Sequence, residues 1–268
     1  MRKPQCVHWG FLGFSNKKNM KFAGIVEYDG SDFCGWQRQS HAPSVQAAVE
    51  KAISQVANHE TGIACAGRTD TGVHALGQVI HFETNAQREL RSWLLGVNSN
   101  LPRSVVLRSI KPVPEDFHAR FSALSRSYRY IISNENVRPA LLANRAAWEY
   151  SPLDVGLMQA GAKFLVGEHD FTSFRALACQ AKSPVRKISR LNVQREGKLV
   201  IIDVTANAFL HHMVRNLAGV LMSIGKKEYS PEWAQQVLIN RDRSCAGVTA
   251  QAQGLYFVSV QYDPKYQL

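Results

Sequence analysis

The stretch KISRLNVQREGKLVIIDVTA, residues 187–206, reads as two strands, 187–195 and 198–206, joined by the turn pair Glu196-Gly197. Directly after it, Phe209, Met213, Leu217, Val220 and Ile224 recur at helical spacing, and Gly225 offers the C-terminal cap of that helix. A hairpin followed by a long amphipathic helix is the later part of a β-α-β-β-α-β unit. The earlier part lies upstream. A strand over 127–133 puts Tyr128, Tyr130 and Ile132 on one face, and Asp154 caps a helix with Leu157, Ala160, Phe164 and Leu165 on its buried side. One more helix opens at Ser230-Pro231-Glu232, with proline at its first position, and a strand over 255–261 closes the unit.

The same order stands nearer the N-terminus. A strand over 21–28 ends at Asp29-Gly30, and Val45, Ala48, Val49, Ala52, Ile53 and Val56 predict a helix over 44–57 capped by Ser44. A short strand over 62–66 runs into a loop at 67–72, followed by a strand near 78–83, a helix near 89–96 and a strand near 105–110. Each half thus has the split βαβ order of a ferredoxin-like (RRM-like) unit. The predicted fold is α+β: two ferredoxin-like halves, 20–112 and 113–268, whose antiparallel sheets flank a central basic cleft. Residues 1–19 carry Arg2, Lys3, Lys17 and Lys18, and the first acid of the chain is Glu27. Without a long apolar run or a small-residue cleavage site they read as a disordered extension, or as a start upstream of Met20.

Charge narrows the partners. The chain has 32 Lys and Arg against 21 Asp and Glu, a balance of +11 before histidine is counted. Such a surplus favours polyanions, nucleic acid first and anionic lipid second. No apolar run approaches the roughly 20 residues of a spanning helix, so no membrane is expected. The five cysteines, Cys6, Cys34, Cys65, Cys179 and Cys245, are odd in number and widely spaced, as unpaired thiols of a reducing cytosol would be. The adjacent pair His211-His212, placed on the 209–225 helix, would point about 100° apart, which argues against a metal site.

The densest polar stretch runs from Cys65 to His74, where Gly67 and Gly72 bracket Arg68 and Asp70 in a loop able to present both side chains. A solvated Asp in a turn is the ordinary reading of an isolated Asp-Thr-Gly. The same tripeptide occurs in aspartic proteases, but those need two carboxylates sharing a proton, and Arg68 beside Asp70 favours a fully ionised acid instead. The wider context is more specific. Ala66 to Ala75 resembles the catalytic signature of the tRNA pseudouridine synthase A family. So do the blocks at Glu27–Gly30, Gly35–Gln39, Gln78–Phe82, Asp116–Phe121, Tyr128–Tyr130, Asp170–Arg175, Asn207–Phe209, His211–Asn216 and Gly254–Tyr256, in the family's order.

The resemblance implies a cofactor-free isomerase that turns uridine into pseudouridine at positions 38, 39 and 40 of the tRNA anticodon stem-loop, after the base leaves its stack. It implies Asp70 as nucleophile, Arg215 as its ion-pair partner, and Arg68 as the base-flipping residue that fills the gap left by the uridine. Tyr128 would stack on the flipped uracil, with Leu255 beside it in the substrate site. The family's RNA-contacting stretches match Phe117, His118, Ala119, Arg120 and Phe121, and Ala178, Cys179, Gln180, Ala181 and Lys182, with Arg88 as a further contact. Two runs support that grip: six basic residues and no acid from Arg175 to Arg195, and three arginines among aromatics from Phe117 to Tyr130. A cytoplasmic homodimer, each tRNA touching both subunits, is the implied working form. A non-catalytic RNA-binding protein on the same scaffold would keep the basic cleft but need neither Asp70 nor Arg215.

Overall fold

The computed structural model describes residues 19–268. The extension expected over 1–19 therefore lies, apart from Asn19, outside the described residues. The elements run β1 (Met20–Tyr28), α1 (Val45–Ala57), β2 (Ala64–Cys65), β3 (His74–Thr84), α2 (Leu90–Asn100), β4 (Val105–Pro112), β5 (Ala123–Asn134), β6 (Ala147–Glu149), α3 (Val155–Lys163), β7 (Gly167–Asp170), β8 (Val185–Glu196), β9 (Leu199–Ala206), α4 (Met213–Gly225), α5 (Trp233–Asn240) and β10 (Leu255–Tyr262). The α+β class and the predicted order of strands and helices hold, with β6 and β7 as additions.

The number of sheets is a correction. All ten strands of the described residues form one sheet in the order β4-β1-β3-β10-β5-β9-β8-β7, with β2 on β3 and β6 on β5. The link is β10. It pairs antiparallel with β5 along most of its length and parallel with β3 through just Tyr256↔His74 and Phe257↔Ala75. Beside it on β3, β2 pairs at Ala64↔His81 and Cys65↔Ile80. Residues 66–73 leave the sheet between these two attachments, so the loop emerges where the sheet forks. The sequence pattern could not show this, because a two-residue parallel contact between strands some 180 residues apart leaves no local signal.

Burial explains why the helices form where they do. Ser44 caps α1 by accepting from the Ala47 N–H, and Val45, Val49, Ala52 and Ile53 line its buried face. Its neighbour α2 approaches closely at Gly96, where a Cβ would lie 3.0 Å from Val56 Cγ2. Trp36, Trp93, Phe82 and Leu107 fill the core on this side. In the second half of the chain α3 packs on α4 and β8. Asp154 caps α3 as expected, accepting from Leu157 N–H, but the buried face carries Met158, Gly161 and Ala162 rather than Leu157 and Ala160. Gly161 is the reason: a Cβ there would meet Ile224 Cδ1 at 2.8 Å, so α4 seats against that smooth face. Phe209 lies before α4, not on it.

Candidate active site

The loop at 66–73 is held from three sides. The buried Gln78 side chain both accepts from the Gly67 N–H and donates to its carbonyl. Thr69 Oγ1 meets the Tyr28 hydroxyl at 2.7 Å, and the Trp36 N–H donates to the Thr69 carbonyl at 3.0 Å. Gly35 allows that last contact: its φ is +86°, and a Cβ would stand 2.8 Å from the Thr69 oxygen. The blocks around Tyr28 and Gly35 thus serve as supports for the loop.

So held, the loop directs Asp70 at three nitrogens. Its Oδ2 lies 3.3 Å from Arg215 Nη1 on α4 and 3.3 Å from His212 Nε2, and its Oδ1 lies 3.3 Å from His211 Nε2. Of the three, the Arg215 contact is the one that also has hydrogen-bond geometry. Arg215 is fixed from behind, because its Nε donates to the Ala250 carbonyl at 2.8 Å.

The histidine pair is a second correction. Helix α4 starts at Met213, and His212 stands before it in the left-handed region with φ 61°. That twist folds the two imidazoles toward one another, ring centroids 4.1 Å apart, so that both face the same carboxylate. One nitrogen from each histidine and an Asp70 oxygen lie within 4.8 Å of one another, a set of donors able to hold a metal ion. Burial pushes His212 below the ordinary histidine value, against the opposing pull of Asp70.

Asp70 sits at the wall of a cavity of about 1300 Å³. Of the residues singled out from sequence, Arg68, Tyr128, Arg215, Leu255, His118, Arg120, Phe121 and Ala178 to Ala181 also line it. Tyr128 is gripped edge-on between Phe209 and Phe257, with both centroid distances 4.9 Å. Burial raises its phenol well above the ordinary tyrosine range, so it stays protonated. Arg68 is exposed, and among the described residues no hydrogen bond or ion pair engages its guanidinium.

Other predicted contacts stand apart. Phe117 and Ala119 are buried, Phe117 packing against Tyr262 and Tyr266, so their segment faces the cavity through His118, Arg120 and Phe121. Lys182 is exposed and outside the cavity lining. Arg88 lines a separate, smaller hollow with Ala57 to His59. Arg126 belongs to the basic run read from sequence as RNA grip, but its guanidinium donates to the carbonyls of Ala66, Arg120 and Asn207 and ties three cavity segments together. Its place amid Arg120 and Arg129 in a basic run hid that role.

A family model described as tRNA pseudouridine synthase matches residues 25–122 and 162–263. The chain belongs to the tRNA pseudouridine synthase family. Proteins named tRNA pseudouridine synthase A are similar to it along nearly their whole length. The one from Hydrogenovibrio crunogenus is 52% identical over 243 residues, covering 91% of this chain and 93% of that one. The Vibrio cholerae protein is 50% identical over 249 residues, with 93% and 94% covered, and the Escherichia coli protein 52% identical over 248, with 92% of each. Arg68, Asp70, Arg215 and Leu255 fall inside the segments matched by the pseudouridine synthase model, and Tyr128 falls between them. Among the described residues no helix is long and apolar enough to cross a membrane.

Proposed function

We propose that this isomerase converts uridine to pseudouridine at positions 38, 39 and 40 of the tRNA anticodon stem-loop, with Asp70 as nucleophile. The observation that carries the reading is a loop carboxylate fixed 3.3 Å from an arginine that is itself anchored, at the wall of a cavity also lined by an aromatic ring. Arg68, exposed at that cavity and without a hydrogen-bonded partner among the described residues, enters the stack as the uridine leaves it. The flipped uracil stacks on Tyr128 beside Leu255. Asp70 forms a transient covalent bond to the substrate as the N1 to ribose bond breaks; the detached uracil turns, a C5 to ribose bond forms, and the bond to Asp70 breaks to restore the carboxylate. The proton displaced from C5 leaves and N1 ends protonated, so atoms and electrons balance with no oxidant or reductant.

His118, Arg120, Phe121, the 178–182 segment and Arg88 grip the RNA backbone, an arrangement favoured by the chain's surplus of +11. The two halves, 20–112 and 113–268, form the walls of this groove, and two copies of the chain act together on each tRNA in the cytoplasm. Incubation with unmodified tRNA transcripts, read by position-resolved pseudouridine detection, tests the proposal. Product at 38 to 40 is expected from the native chain and none from Asp70→Ala, whose tRNA affinity should stay near normal. Near-normal turnover by Asp70→Ala overturns the assignment.

A further inference from the structure

The histidines beside Asp70 approach its oxygens at 3.3 Å, yet neither contact has the geometry of an N–H aimed at the carboxylate. Two imidazoles that converge on one carboxylate without such a hydrogen bond form a donor cluster that could hold a metal ion. In a tetrahedral zinc site with bonds of about 2.0–2.1 Å, neighbouring donors stand about 3.3–3.4 Å apart. His211 Nε2 meets that spacing at Oδ1 and His212 Nε2 meets it at Oδ2, while one nitrogen from each ring and a carboxylate oxygen lie within 4.8 Å of one another; two imidazoles with one carboxylate are a donor set suited to zinc, nickel or cobalt. The backbone is committed to it. The left-handed turn at His212, φ 61°, is what brings the two rings to one point.

We infer that Asp70, His211 and His212 bind a first-row transition-metal dication reversibly, and that occupancy switches the isomerase off. The ion would engage the carboxylate that must attack the substrate, and would occupy cavity space that the uracil needs. The Arg215 guanidinium on the same Oδ2 opposes a second cation, so the site is an inhibitory one of limited affinity rather than a permanent structural centre. The effect on turnover rests on Asp70 being the nucleophile; the binding does not.

The test uses the full chain without substrate. Cobalt is titrated and its visible spectrum recorded, then zinc is used to displace it. One cobalt per chain is expected, with a tetrahedral or five-coordinate spectrum lacking a thiolate charge-transfer band. His211→Ala, at an exposed position, and His212→Asn, whose new residue tolerates positive φ, should each weaken zinc binding by at least about tenfold. Far-ultraviolet circular dichroism and thermal melting verify that both variants fold. Unchanged affinity in both variants, a thiolate band from Cys34, Cys65 or Cys179 of the same cavity, or no saturable binding overturns the inference. In a separate arm, zinc should block pseudouridine formation by the native chain and a chelator should restore it. Failure of that arm alone, with binding intact, overturns the inhibitory role and leaves the isomerase reading standing.

Discussion

Asp70 and Arg215 meet at 3.3 Å across 145 residues of chain, one on a loop that leaves the fork of the sheet, the other two residues into α4. Neither can move alone. Arg215 is tethered to the Ala250 carbonyl, and the loop is tethered through Gly67 and Thr69. Arg215→Lys keeps the charge but cannot span both contacts, since an ammonium lacks the guanidinium fork. We expect its kcat on tRNA transcripts to fall on the order of 10²-fold, with tRNA binding little changed. A variant that lost affinity and kept kcat would assign Arg215 to RNA grip instead.

Arg68→Ala removes the group proposed to enter the stack. The deficit should depend on how firmly the target base is held, because flipping a mismatched base costs less than flipping a paired one. Single-turnover rates on a fully paired anticodon stem should drop steeply, and a transcript with a mismatch at the target uridine should recover part of the loss. Equal deficits on both substrates would mean that Arg68 acts after extrusion.

Tyr128 separates ring from hydroxyl. Its ring is wedged between Phe209 and Phe257, while its hydroxyl has no hydrogen-bond partner among the described residues. Tyr128→Phe should therefore leave stability unchanged within about 0.5 kcal/mol in urea denaturation. Tyr128→Ala should cost about 3–5 kcal/mol and abolish turnover with the proposed stacking surface gone. Should Tyr128→Phe also abolish turnover, the phenol proton takes part in the chemistry.

His81 gives the protein a pH-dependent stability. Its Nδ1 accepts the Ala119 N–H at 3.1 Å, and burial, followed by the nearby His118 and Lys21, pushes its pKa down to about 4. The unfolded imidazole titrates near 6.5, so between these values the unfolded chain binds a proton that the folded chain refuses. This contribution is fully present above 6.5 and is lost as the pH falls toward 4. His81→Asn keeps an acceptor at the δ position but does not titrate. Its urea midpoint should decline less than that of the native chain across this window, and identical slopes would refute the account.

Much of this was readable from the chain itself, and the exceptions have physical reasons. Alternation in β5 put Tyr128, Tyr130 and Ile132 inward, and Ser44 and Asp154 announced the caps of α1 and α3, because these features depend on neighbours a few residues away. Asp70, Arg68 and Arg215 were legible as residues of a motif. What escaped depends on distant contacts or on single backbone angles. The buried side of α3 follows the position of Gly161 against Ile224, which periodicity alone does not rank. The convergence of His211 and His212 turns on one positive φ at a non-glycine residue, and helical spacing through Phe209 and Met213 pointed the other way.

The double pairing of β10 carries a consequence for the order in which the molecule is made. Of the described strands it is the last to be synthesised, yet it is the seam between β3 and β5. Until it arrives, Tyr128 lacks Phe257 at its side, β5 exposes raw backbone along most of the missing partner's length, and β3 lacks its partner at His74 and Ala75. The cavity beside Asp70 likewise lacks Leu255 from its lining until then. Closure of the wall around Tyr128 thereby waits for residues 255–262 to be made, long after the loop that carries Asp70.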